Sequence, residues 1–117
     1  MQLDHVALTV GDRERSAAFY AEHFGLVDRV HDDEHLLILG RRGGGTLLAL
    51  SEGEVPALPR TNHFGFRLGD VEAVRVARER FRDAGVSEAE WQDAGGMFRV
   101  QVFDPDGYRV EVYAYNS

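Results

Sequence analysis

The feature that most constrains the fold of this chain is an internal repeat. The tract from Asp4-His5-Val6 to Gly11-Asp12 matches the tract from Asn62-His63-Phe64 to Gly69-Asp70, 58 positions further along. Each tract predicts a short strand with a histidine at its second position, followed by Gly-Asp and a helical pattern. Such self-similarity indicates that one structural unit of roughly fifty residues is used twice. The repeat therefore gives His5 and His63 equivalent positions.

Hydrophobic periodicity predicts the order β-α-β-β-β in both units. Asp12 is expected to cap the first helix and Gly25 to end it, and Asp70 and Gly85 have the same roles in the second helix. A linker at 52–60 contains two prolines. The predicted strands cover residues 3–10, 26–30, 35–39 and 46–51 in the first unit, and 63–68, 89–92, 98–103 and 108–115 in the second. The pattern at 89–92 is the weakest of these.

Side chains alternate between the two faces of a strand, and the first and last strands separate polar from apolar residues in this way. The polar sides carry the candidate site residues, which are His5, His63, Arg67, Arg99, Arg109, Glu111 and Tyr113. Two imidazoles and one carboxylate suit Fe, Mn, Ni, Co or Zn as divalent ions and leave coordination positions open. We therefore expect a metal site at His5, His63 and Glu111. A solvated or structural role for each residue is the alternative.

Composition excludes several classes of function. The formal net charge of −7 argues against nucleic-acid binding, which needs a basic face, although it would suit a cationic small molecule. The longest aliphatic run is only Leu36-Leu37-Ile38-Leu39, so no membrane span is expected. The absence of cysteine fits a reducing compartment. Because a strand pattern begins next to Met1, no signal peptide is expected. A cytoplasmic protein is therefore expected.

The chain resembles the vicinal oxygen chelate superfamily, which comprises glyoxalases, bleomycin resistance proteins and extradiol dioxygenases. The resemblance rests on the tracts 3–8, 19–26 and 62–66 and on the closing motif at 103–111, whose core is Asp104-Pro105-Asp106-Gly107. It implies an α+β fold in which two β-α-β-β-β units form a curved mixed-sheet cup. It also implies a single glyoxalase-like domain over 1–117, built from repeat units 1–52 and 61–117. A homodimer is expected because small members of the family commonly pair.

The ligand set departs from that of glyoxalase I. Aligning the hairpins by Gly45 and Gly107 puts Ala49 at the level of Glu111, so one carboxylate of the family's four ligands is missing. The remaining set of His5, His63 and Glu111 is similar to those of extradiol dioxygenases and fosfomycin-resistance transferases. The dioxygenases also use an additional histidine and a tyrosine beside the metal, and the sequence identifies no residue of this chain as their counterparts. The stretch before the Asp-Pro-Asp-Gly turn also has no serine, whereas the fosfomycin enzymes have a serine-rich loop.

Two functions follow as hypotheses. The first is a metal-dependent lyase, isomerase or dioxygenase that acts on a small oxygenated substrate, with Glu111 and Tyr113 as catalytic residues. Arg67, Arg99 and Arg109 would then bind a carboxylate or phosphate of the substrate. The alternative is a metal-free protein, similar to bleomycin resistance proteins, that sequesters a drug or metabolite.

Overall fold

A computed structural model describes residues 1–116 of the protein, so the predicted second unit ends one residue beyond them. The first compact unit spans Met1–Ala57. Its elements are β1 (His5–Val10), α1 (Arg13–Phe24), β2 (Asp28–Asp32), β3 (Leu37–Gly40) and β4 (Leu47–Glu52). The sheet order is β1-β4-β3-β2, with β1 and β4 parallel and the other neighbours antiparallel.

The second unit begins at Leu58 and repeats this architecture. Its elements are β5 (His63–Arg67), α2 (Val71–Asp83), β6 (Glu88–Ala94), β7 (Met97–Phe103) and β8 (Arg109–Tyr115). The sheet order β5-β8-β7-β6 again has one parallel pair, β5 with β8, and two antiparallel pairs. The predicted α+β class and the two β-α-β-β-β units are confirmed.

Capping residues set the limits of both helices as the sequence predicts. Asp12 accepts a hydrogen bond from the backbone N–H of Arg15, and Asp70 accepts one from Ala73. Each carboxylate satisfies one of the N–H groups that the first helical turn leaves unpaired. Gly25 follows α1 with a φ of 71°, a left-handed conformation that glycine adopts without a Cβ penalty.

Each helix covers one face of its own sheet. In the first unit the buried core consists of Leu8, Val10, Ala17, Tyr20, Leu26, Leu37, Leu39, Leu48 and Leu50. In the second unit it consists of Val74, Phe81, Val100, Val102, Val110, Val112 and Ala114. On β1, β4, β7 and β8 these residues are at alternate positions, because one face of each strand packs against the helix. The opposite face of each sheet is therefore available for other side chains.

Strand β6 is longer than its sequence pattern predicts. It runs to Ala94, which pairs with Met97 across Gly95 and Gly96. These two glycines have φ values of 72° and 78°, and positive φ at both central residues is typical of a two-residue hairpin turn. Strand β1, in contrast, is shorter than predicted. It starts at His5 and not at residue 3, and Leu3 is 91 % exposed. No helix within residues 1–116 is long and apolar enough to cross a membrane.

Candidate functional site

Strand register in the second unit brings Glu111 to the centre of the face opposite α2. Glu111 on β8 pairs with Gly65 on β5 and with Gln101 on β7. Because side chains alternate, Glu111 lies on the side of the sheet that the core residues Val110 and Val112 do not occupy. Its side chain is only 10 % exposed. The sequence predicts this face correctly, but not the burial of the carboxylate.

The two oxygens of the Glu111 carboxylate have different surroundings. Oε1 accepts hydrogen bonds from Arg99 Nη1 and from Gln101 Nε2, both at 3.1 Å. Oε2 has no hydrogen-bond partner in residues 1–116. Since every buried side-chain nitrogen or oxygen atom of these residues has a partner, Oε2 is in contact with solvent. One oxygen is thus fixed and the other is free to bind an ion or a substrate.

Arg99 is the centre of a polar network that the sequence alone does not predict. Besides Glu111, its guanidinium donates to Gln92 Oε1 at 3.0 Å and to Glu90 Oε1 at 2.6 Å. The Arg99 side chain is 17 % exposed, and charged hydrogen bonds of this kind are stronger than neutral ones. Glu90 and Gln92 both come from β6. The signal that could have identified them is the polar alternation Glu88, Glu90, Gln92, which weakens the strand pattern.

His63 is oriented by the backbone next to it. Its Nδ1 lies 3.0 Å from the carbonyl oxygen of Thr61. Since a carbonyl only accepts, Nδ1 carries the proton and the lone pair of the neutral ring is on Nε2. Nε2 lies 3.8 Å from Glu111 Oε1. A hydrogen bond from one ring nitrogen to a carbonyl is the usual way in which a protein orients a metal-binding histidine.

The remaining predicted residues of this face stack on aromatic rings. The guanidinium of Arg67 lies 4.8 Å from the centre of the Tyr115 ring, and that of Arg109 lies 5.0 Å from the centre of the Phe103 ring. Tyr113 packs edge-to-face against Tyr115, with ring centres 5.8 Å apart. Among residues 1–116, neither Arg67 nor Arg109 has a carboxylate partner. These two arginines therefore differ from Arg99, whose charge is compensated by Glu90 and Glu111.

The corresponding face of the first unit has no such network. His5 pairs with Leu47, and two positions along the strands Ala7 pairs with Ala49, which in turn pairs with Ile38. The register thus confirms that Ala49 is the counterpart of Glu111. His5 is exposed, and its Nδ1 lies 3.0 Å from the Asp4 carboxylate. As in His63, this contact leaves Nε2 of the neutral ring as the available ligand atom.

The second unit supplies two donors suited to a divalent metal, His63 Nε2 and the Glu111 carboxylate. Two ligands bonded at roughly 2.0–2.2 Å can lie at most about 4.4 Å apart. His63 Nε2 lies 3.8 Å from Oε1, the oxygen that Arg99 and Gln101 hold, so this distance brings the carboxylate group, and not its free Oε2 in particular, within reach of an ion bound at His63. Within residues 1–116, no group of three or more His, Asp or Glu side chains is arranged to hold a metal. The third ligand, His5, stays a prediction.

Comparison with known proteins agrees with this architecture. A sequence model described as Glyoxalase/Bleomycin resistance protein/Dioxygenase superfamily matches residues 2–112. A search of curated proteins gave no significant match.

Solved structures share the fold along nearly the whole chain. The fosfomycin resistance protein FosX from Listeria monocytogenes is 22% identical, with a TM-score of 0.83 and coverage of 97% of this chain and 93% of that one. Lactoylglutathione lyase from Agrobacterium tumefaciens is 23% identical, with a TM-score of 0.80 and coverage of 97% and 92%. A possible glyoxalase from Bacillus cereus is 26% identical, with a TM-score of 0.79 and coverage of 96% and 97%. At such identities the similarity establishes the fold and leaves the reaction open.

Proposed function

The chain belongs to the Glyoxalase/Bleomycin resistance protein/Dioxygenase superfamily, and we propose that it is a metal-dependent enzyme acting on a small oxygenated substrate. The reaction would be that of a lyase, an isomerase or a dioxygenase. The observation that carries this proposal is the proximity of the His63 imidazole, which Thr61 orients, to the Glu111 carboxylate. His63 Nε2 lies 3.8 Å from the held oxygen Oε1, and Oε2 of the same carboxylate has no hydrogen-bond partner among residues 1–116.

His63, Glu111 and His5 would hold the ion, which is Fe, Mn, Ni, Co or Zn according to the donor types. When bound, the metal supplies Lewis acidity to two neighbouring oxygens of the substrate. Arg99 and Gln101 hold Oε1 of Glu111 and so restrict the carboxylate to presenting Oε2. Tyr113 lies two residues further along β8 on the same face, where its hydroxyl would donate a proton or orient the substrate.

A metal-free binding protein is the second candidate, and one observation favours it. The charge of Glu111 is already compensated by Arg99 at 3.1 Å, and a neighbouring cation lowers the affinity of a carboxylate for a metal ion. In such a protein the same face would sequester a metabolite or drug without chemistry.

Metal content separates the two functions. Tag-free protein is analysed by inductively coupled plasma mass spectrometry as purified and after reconstitution with each of the five ions and desalting. We expect near-stoichiometric metal in the wild type and loss of it in His63→Ala. The matched control is His35→Ala, because His35 is an exposed histidine of the β2–β3 turn. Protein that binds none of the ions would rule out the metal-dependent function and favour the binding protein.

A further inference from the structure

We propose that the polar face of the second unit takes a small organic anion, whose carboxylate or equivalent anionic group is bound by Arg67. This inference names the substrate class of the site proposed above and in that sense rests on it. It is supported by different observations, which are the local charge of the face and the hydrogen-bond partners and exposure of its three arginines.

The local charge is opposite in sign to that of the whole protein. The chain has a formal net charge of −7, yet this face presents three guanidiniums, Arg67, Arg99 and Arg109, against the two carboxylates Glu90 and Glu111. Salt screens charges that lie more than roughly 10 Å from a ligand, so the local excess and not the total charge decides which ligands this face attracts. A positive face on an acidic protein selects an anion, and a bound divalent ion would add to that preference.

Arg67 is the arginine best prepared to receive the anion. Arg99 already donates to three side chains, and Arg109 is half-buried beside Phe103. Arg67 is exposed and has no acceptor among residues 1–116, while the ring of Tyr115 restricts its guanidinium from one side. Stacking of this kind occupies the flat face of a guanidinium and leaves its N–H groups at the edge, where they match a carboxylate with two hydrogen bonds.

The position of Arg67 sets the end of the face at which the anionic group binds. Arg67 pairs with Tyr113, two residues along the strands from the pair of Gly65 and Glu111. Two residues of a strand span roughly 7 Å. The guanidinium of Arg67 lies over the ring of Tyr115, a further two residues along β8. The anionic group therefore binds at the Tyr115 end of the face, and the rest of the ligand extends along β8 towards Glu111 and His63.

Benzoate and benzamide provide a matched pair of probes, since they share their shape and differ in charge. Isothermal titration calorimetry on protein treated with EDTA and desalted tests the anion site without metal. We expect benzoate to bind at least ten-fold more tightly than benzamide, and the difference to shrink between 50 and 500 mM salt. Arg67→Gln should abolish the preference for benzoate. Arg41→Gln, at an exposed loop arginine of the first unit, should leave it unchanged.

The outcomes separate this inference from the proposed function. Equal affinity for the two probes, or a benzoate preference that survives in Arg67→Gln, would overturn the anion site whatever the metal content. A benzoate preference lost only in Arg67→Gln supports it, even for protein that binds none of the five ions. In that case the metal-dependent function fails and the anion-binding face remains.

Discussion

The two units share one scaffold and differ on one face. Both have a helix-covered apolar side and a parallel pair of strands that starts with a histidine. At the level two residues after that histidine, the first unit has a row formed by Ala7, Ala49 and Ile38. The equivalent row in the second unit is formed by Gly65, Glu111 and Gln101. The same backbone arrangement thus carries an apolar row in the first unit and a buried carboxylate in the second.

This difference shows which side chains the fold requires and which it does not. The helix-facing residues are aliphatic or aromatic in both units, because burying them drives formation of each sheet. The first unit forms the same sheet with alanines on the other face, so a buried charged network there is not needed for folding. Buried polar groups that the scaffold can do without are candidates for function.

The largest expected effect comes from removing the cation of the network. Arg99→Leu leaves the carboxylates of Glu111 and Glu90 without their cationic partner, and breaking the buried pair of Arg99 and Glu111 on one side costs roughly 3 kcal/mol. Urea unfolding followed by circular dichroism measures the loss. A variant that differs from the wild type by less than about 0.5 kcal/mol, the range of ordinary surface substitutions, would contradict the view that this network is buried and coupled.

A triple variant turns the same experiment into a direct comparison of the units. Arg99→Leu, Gln101→Ile and Glu111→Ala together copy Leu36, Ile38 and Ala49, the residues at the equivalent positions of the first unit. Since an apolar replacement of a whole buried ion pair is often neutral or stabilising, we expect the triple variant to be more stable than Arg99→Leu alone. If it is less stable, the second sheet needs its charges and the two units are not interchangeable.

A smaller effect is expected at the glycine that accompanies Glu111. A Cβ on Gly65 would lie 3.1 Å from Glu111 Cβ and 3.4 Å from Oε2, so Gly65→Ala forces the carboxylate aside. We expect a loss of about 1 kcal/mol in the free energy of unfolding, the lower end for an overpacked site, together with reduced metal content. Ala7→Gly makes the reverse change at the equivalent position of the first unit and should leave metal content unaltered. Unchanged metal in Gly65→Ala would show that Oε2 is not a ligand.

Much of the fold follows from the sequence because its signals are local. Helix limits follow from Asp12, Gly25 and Asp70, whose side chains or backbone freedom act within a few residues. The equivalence of Ala49 and Glu111 follows from the repeat, since similar segments fold into similar strands. Alternation then assigns the face of Glu111 correctly.

The network around Glu111 could not be predicted, because it depends on register between strands. Glu90 reaches Arg99 through the pairing of β6 with β7, which is shifted by an irregularity between Glu88 and Glu90. A shift of one residue would turn Glu90 to the other face, and no local pattern specifies it. The net charge of the chain does not predict the charge of this face either, because that depends on which residues the strand register brings together there.

The smallest expected effect concerns the hairpin turns, where the units also differ. The turn of the second unit is Gly95-Gly96, whereas that of the first contains Asp33. Backbone N–H groups of His35 and Leu36 and the His31 ring lie within 2.9 Å of the Asp33 carboxylate. Hydrogen bonds from His35 and then from His31 lower the pKa of Asp33 from its ordinary 3.8 to about 2. The charged form therefore stabilises this turn, and no carboxylate does so in Gly95-Gly96.

The sign of the pH dependence follows from that pKa. Because the pKa of Asp33 is lower in the folded than in the unfolded chain, its contribution to stability is complete above about pH 4 and is lost as the pH falls towards 2. Asp33→Asn should flatten the decline of stability in this range, by a small amount because the carboxylate is exposed and screened. Titration of the Asp33 carboxyl carbon by NMR should give a midpoint near 2. A midpoint near 3.8 would mean that the turn holds its shape without the charge, as the glycine turn of the second unit does.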